Sequence, residues 1–163
     1  MPNPVSESRI AERFASWFSQ TTGHQYTVSP GANPPDFLME PEGWLEVSDI
    51  YMRNEQAKFL DVFNERSFGF GCPLDETALR LIEKLDEKLG KQSYECVYRE
   101  RGKGLLLLTC QDFFFDAVNL AQARQALALF RPTNDLGFFQ TAYFEYQIPG
   151  EDRTYEVVYS RNA

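Results

Sequence analysis

The chain has 163 residues, 43% hydrophobic and 15% aromatic, enough for one domain to bury a core without disulfides or a structural metal. Its 24 acidic and 16 basic side chains leave a formal net charge of −8, which disfavours a nonspecific nucleic-acid coat protein but allows a local basic groove or a basic partner. No stretch approaches the roughly 18 to 20 apolar residues of a membrane span, and the first residues lack a basic flank followed by an apolar core, so neither a membrane segment nor an export signal is expected.

Ile10, Phe14, Trp17 and Phe18 recur at helical spacing after Ser6 and Ser8, either of which can cap the start, and predict an amphipathic helix over 7–21 ending near Gly23. Gln25 to Ser29 reads as a short strand. The run from Pro30 to Pro35 forbids a helix and forms a loop, from which a second strand starts at Phe37. Glu40 to Gly43 is a turn, and Trp44 to Tyr51, rich in aromatic and β-branched residues, is a third strand. A helix over 54–65 follows, interrupted at Phe68-Gly69-Phe70-Gly71-Cys72-Pro73.

A clearer helix is expected from Asp75 to Leu89, with Leu79, Ile82, Leu85 and Leu89 as its apolar stripe, Arg80, Lys84 and Lys88 on its solvated face, and Gly90 as its stop. Tyr94 to Arg99 reads as a strand. Gly104 to Cys110 is a continuous apolar run that suits a strand covered on both faces. A helix over 119–129 and two strands, Ala142 to Ile148 and Thr154 to Ser160, joined by Pro149 to Asp152, complete the chain. The expected fold is α/β, a single domain with a mixed β-sheet flanked by helices and a C-terminal β-hairpin. Cys72, Cys96 and Cys110 are odd in number and without CxxC spacing, which reads as reduced thiols and a cytoplasmic setting.

The chemistry concentrates in Pro34-Pro35-Asp36 and Trp44-Leu45-Glu46-Val47-Ser48. Side chains alternate along a strand, so Glu46 and Ser48 share one face, and a hairpin brings Asp36 to that face. A carboxylate in a buried strand needs a cation, a basic partner or an opening to solvent. Two carboxylates placed together can hold Mg²⁺ or Mn²⁺.

On these residues, and on the order helix, three strands, helix, strand, the chain resembles the PD-(D/E)xK, or restriction-endonuclease-like, nuclease superfamily over about residues 7 to 130. The departure is Ser48, which stands where the family has a lysine. The resemblance implies that Asp36 and Glu46 hold a divalent metal with help from the backbone carbonyl of Val47, and that Glu12 is an additional acid beside it. Some families of this fold supply the cationic group from a neighbouring element, and Lys58 is the first candidate for it here, with Arg53 second. A neutral hydroxyl does not replace an ammonium group.

Plainer assignments exist for each residue. Asp36 after two prolines suits a turn cap, Glu46 suits an ion pair with Arg53 or Lys58, and Glu12 suits solvated surface. His24 is the single histidine, which excludes a His-pair zinc site and leaves a Ser-His-Asp triad without flanking signals. The glycine pairs Gly69/Gly71 and Gly102/Gly104 lack a phosphate-loop context. Two functions therefore stand at this level: a Mg²⁺-dependent nuclease, active or degenerate, and a noncatalytic interaction or regulatory subunit on the same fold. The aromatic blocks Phe113 to Phe115 and Phe138 to Tyr146 are expected in the core, or in a dimer or partner interface if exposed.

Overall fold

The structure is a computed structural model that describes residues 4–50, 76–110 and 117–161. The helix expected over 54–65, the interruption at 68–73, Lys58, Arg53, Cys72 and Phe113 to Phe115 lie outside those residues.

Six strands form one sheet in the order β1-β2-β3-β4-β5-β6: β1 (Thr27–Pro30), β2 (Phe37–Glu40), β3 (Trp44–Asp49), β4 (Gly104–Thr109), β5 (Phe139–Gln147) and β6 (Arg153–Ser160). The first three form an antiparallel meander, β3, β4 and β5 run parallel, and β6 returns antiparallel on β5. Helix α1 (Pro4–Thr22) covers one face. On the other lie α2 (Glu76–Leu89), the short α3 (Glu95–Arg101) and α4 (Ala117–Leu129). The expected mixed sheet flanked by helices is present, with its C-terminal hairpin.

The two faces have separate cores, as strand alternation requires. Ile10, Ala11 and Phe14 of α1 pack on Phe37, Met39, Leu45, Val47 and Leu107. Trp44, Leu106, Leu108, Ala142 and Phe144 face the opposite way, onto Leu81 and Leu85 of α2 and Ala123 and Ala126 of α4. Strand β4 contributes to both cores, which is why its sequence is an unbroken leucine run rather than an alternation.

One element departs from the sequence reading. Residues Tyr94 to Arg99 are not a strand: Gln92–Tyr94 is a 3₁₀ turn that runs directly into α3. The segment alternates superficially, but Tyr94 and Val97, three apart, are the buried pair, which is a helical interval. Three hydrogen bonds anchor this region to the meander. Arg101 donates to the carbonyls of Gly43 (2.9 Å) and Met39 (2.6 Å), and the indole N–H of Trp44 donates to the carbonyl of Gly102 (2.8 Å). Gly104 is required by close approach, since a Cβ there would lie 2.3 Å from the Trp44 ring.

Candidate functional site

Asp36 and Glu46 do converge. The loop before β2 is closed by hydrogen bonds from Gly31 N–H to the Asp36 carbonyl and from Asn33 N–H to the Pro35 carbonyl, both 2.9 Å. A Cβ on Gly31 would lie 2.3 Å from the Pro35 carbonyl oxygen, so the loop tolerates only glycine there without moving. It delivers Asp36 one step beyond the paired residues Phe37 and Leu45, opposite Glu46. Two reciprocal bonds lock the pair: Asp36 N–H donates to Glu46 Oε1 (3.0 Å), and Val47 N–H donates to Asp36 Oδ2 (3.0 Å).

Glu46 is 5% exposed, and its second oxygen is also engaged. Tyr94 donates its hydroxyl to Oε2 at 2.8 Å, and the Lys88 ammonium reaches the same atom at 3.4 Å. Glu7, in the first turn of α1, completes the group: burial and the charge of Glu46 raise its carboxyl above the usual range, while Lys88 opposes the shift. The Asp36 carboxyl is pushed up to about 7, by burial first and the charge of Glu46 second, with the Val47 N–H pulling the other way. Glu7 adds to that rise and Lys88 subtracts from it.

Among the described residues, then, three carboxyl groups share one nearby ammonium. A surplus of negative charge in a half-closed site is what a divalent cation neutralises, and hard carboxylate oxygens are the donors Mg²⁺ and Mn²⁺ take. No group of three or more His, Cys, Asp or Glu side chains among the described residues is arranged to hold a metal ion. A cation here would therefore rest on Asp36 and Glu46 and keep several waters, as Mg²⁺ commonly does. Within that limit the donor set fits.

Two expected residues are placed elsewhere or outside view. Glu12 is exposed and lines a groove of about 440 Å³ with Ser16, Gln20, Gln25 and Thr27, away from Asp36. Helical phase separates the two acids. Glu7 lies three residues before Ile10 and seven before Phe14, on the line of the buried stripe, whereas Glu12 points off it. Lys58 lies outside the described residues. Ser48 is buried, two residues beyond Glu46 on the same face of β3.

The sequence reading missed Lys88 and Tyr94. The buried stripe of α2 is Ala78, Leu81, Leu85 and Leu89, rotated from the expected one so that Leu79 and Ile82 are only half-buried. Lys88, three residues beyond Leu85, then flanks the stripe and is 13% exposed. Tyr94 was hidden by the strand reading of its segment. Lys84 behaves as expected, bound to Glu87 at 3.0 Å, whereas Arg80, expected on the solvated face, is half-buried. Burial works to raise the Glu87 carboxyl, but the hydrogen bond from Lys84 and the charges of Lys84, Lys88 and Lys91 outweigh it and hold the group below the usual range.

His24 is exposed beyond the end of α1, Cys96 is exposed and Cys110 is buried, both as free thiols. Phe138, Phe139, Phe144 and Tyr146 belong to the core. No helix among the described residues is long and apolar enough to cross a membrane. Comparison of the chain with protein-family models, with curated proteins and with solved structures finds no match.

Proposed function

We propose that this chain is a restriction-endonuclease-like, divalent-metal-dependent phosphodiesterase of the cytoplasm, a nuclease in which Lys88 of α2 takes the place of the lysine absent at Ser48. The observation that carries the reading is the convergence of Asp36, Glu46 and Lys88 at the start of the β2–β3 hairpin, with the ammonium 3.4 Å from Glu46 Oε2. An antiparallel meander followed by a parallel fourth strand is also the layout the resemblance requires.

Mg²⁺ or Mn²⁺ would supply the positive charge that makes a water a better nucleophile at neutral pH. Asp36 and Glu46 would hold the cation, and the backbone of Val47 is fixed beside them by its N–H bond to Asp36 Oδ2. Lys88, 3.4 Å from Glu46 Oε2, presents a compact ammonium with three donors, suited to orienting an attacking water or a nonbridging phosphate oxygen.

One observation favours a second reading, a noncatalytic interaction or regulatory subunit with its acidic surface toward a basic protein partner: both oxygens of Glu46 are hydrogen-bonded within the protein. Calorimetric titration with Mn²⁺ separates the two. The nuclease reading expects binding by the wild type and none by the Asp36→Asn, Glu46→Gln double variant, followed by cleavage of DNA or RNA that Lys88→Met abolishes. Absence of binding by the wild type would leave the interaction reading standing.

A further inference from the structure

The metal reading gives parts to two carboxylates and a lysine but none to Tyr94, whose side chain is fully buried at the end of the 3₁₀ turn. A phenol buried in an apolar core costs free energy unless its hydroxyl is bonded, so the tyrosine is held there by its one acceptor, Glu46 Oε2 at 2.8 Å. Its ring has little room to move. It stacks on Trp44 (centroids 5.6 Å apart, 27° between planes), meets Phe139 edge-on (5.0 Å, 72°), and lies under the Lys88 ammonium at 5.9 Å. Trp44 is fixed in turn by its bond to Gly102 and by the gap at Gly104.

The consequence follows from counting lone pairs. An ionised glutamate offers about four acceptor sites, two on each oxygen. Tyr94 and Lys88 fill Oε2, and Asp36 N–H takes one site on Oε1. Among the described residues, the remaining site is on Oε1, the oxygen that already reaches Asp36. We infer that Tyr94 is a positioning residue for Glu46: by occupying Oε2 it forces Glu46 to offer a cation Oε1 alone, on the Asp36 side, and so favours small cations that take one carboxylate oxygen over Ca²⁺, which accepts both. This inference rests on the proposed metal site and concerns its selectivity.

The structure contains its own control. Tyr155 donates its hydroxyl to Glu145 on the opposite face of the sheet, the same chemistry with no part in the site. Wild type, Tyr94→Phe and Tyr155→Phe are titrated calorimetrically with Mn²⁺ and with Ca²⁺, and the urea midpoint of each is measured without metal. Tyr94→Phe keeps the ring and its packing. It is expected to lose about tenfold or more in Mn²⁺ affinity, the usual effect of removing a group that orients a ligand. Its Ca²⁺ affinity should fall less, so the Mn²⁺/Ca²⁺ preference narrows, whereas Tyr155→Phe should lower the urea midpoint and leave that preference where it was. An unchanged preference in Tyr94→Phe, or the same narrowing in Tyr155→Phe, overturns the inference. Failure of the wild type to bind either ion is a different result, visible before any variant is made, and overturns the metal reading itself.

Discussion

Two buried glutamates face away from each other across one sheet, and they live under opposite electrostatic regimes. Glu145 of β5 is fully buried on the α1 face and ringed by donors: Arg13 with two bonds of 2.9 Å, Thr109 at 2.7 Å, the Tyr155 hydroxyl, and Arg153 at 3.6 Å. Burial pushes its carboxyl up, but the bonds from Arg13, Tyr155 and Thr109 and the Arg13 charge outweigh it and leave it below the usual range. Glu46 is nearly as buried, yet it shares one ammonium among the described residues with Asp36 and Glu7, both shifted upward. Burial alone therefore does not mark a functional carboxylate. A balanced cluster holds a helix to a sheet, while an unbalanced one is the kind of site where a bound cation would stabilise the fold.

The strongest way to break the comparison is to remove the balanced acid. Glu145→Ala leaves Arg13, Arg153 and Tyr155 facing an empty centre and is expected to cost about 3 to 5 kcal/mol in urea unfolding. The unbalanced site should respond with the opposite sign. Asp36→Asn, in metal-free protein at pH 8, removes a repelled carboxylate while retaining an acceptor for Val47 N–H, and is expected to stabilise by about 2 kcal/mol.

The pH dependence of the metal-free protein sharpens the same contrast. The raised Asp36 carboxyl contributes stability that is complete below its unfolded value of 3.8, is lost as pH rises toward about 7, and levels off above that. The lowered Glu145 carboxyl contributes stability present above its unfolded value of 4.5 and lost as pH falls through its depressed folded value. Urea midpoints measured from pH 3 to pH 9 should show both limbs, and Asp36→Asn should flatten only the one on the neutral side. The smallest effects separate the two acids of α1: Glu7→Gln should weaken Mn²⁺ binding about threefold, and Glu12→Gln should leave it within about twofold, by the same calorimetry.

What the sequence disclosed follows from the range of the interactions. The Asp36–Glu46 pair spans ten residues across a hairpin, so a proline-bounded loop, a turn and strand alternation were enough to bring it together. Lys88 meets Glu46 across 42 residues, and its presence depends on the rotation of α2, which the apolar residues of that helix define only loosely because Leu79 and Ile82 compete with Ala78 and Leu81 for the stripe. Tyr94 was lost to a local ambiguity between period two and a helical interval. The Arg13–Glu145 pair joins positions 132 residues apart, on elements whose contact only the folded sheet decides, and no local pattern in the chain announces it.

The gap at Gly104 has one further consequence. A single absent methyl group, on a strand that contributes no atom to the carboxylate cluster, admits the Trp44 ring, against which Tyr94 stacks and through which the orientation of Glu46 is maintained. A Cβ at position 104 would displace that ring, so Gly104→Ala should cost stability and disturb the aim of the acid together, which ties the packing of a remote glycine to the chemistry of the cluster.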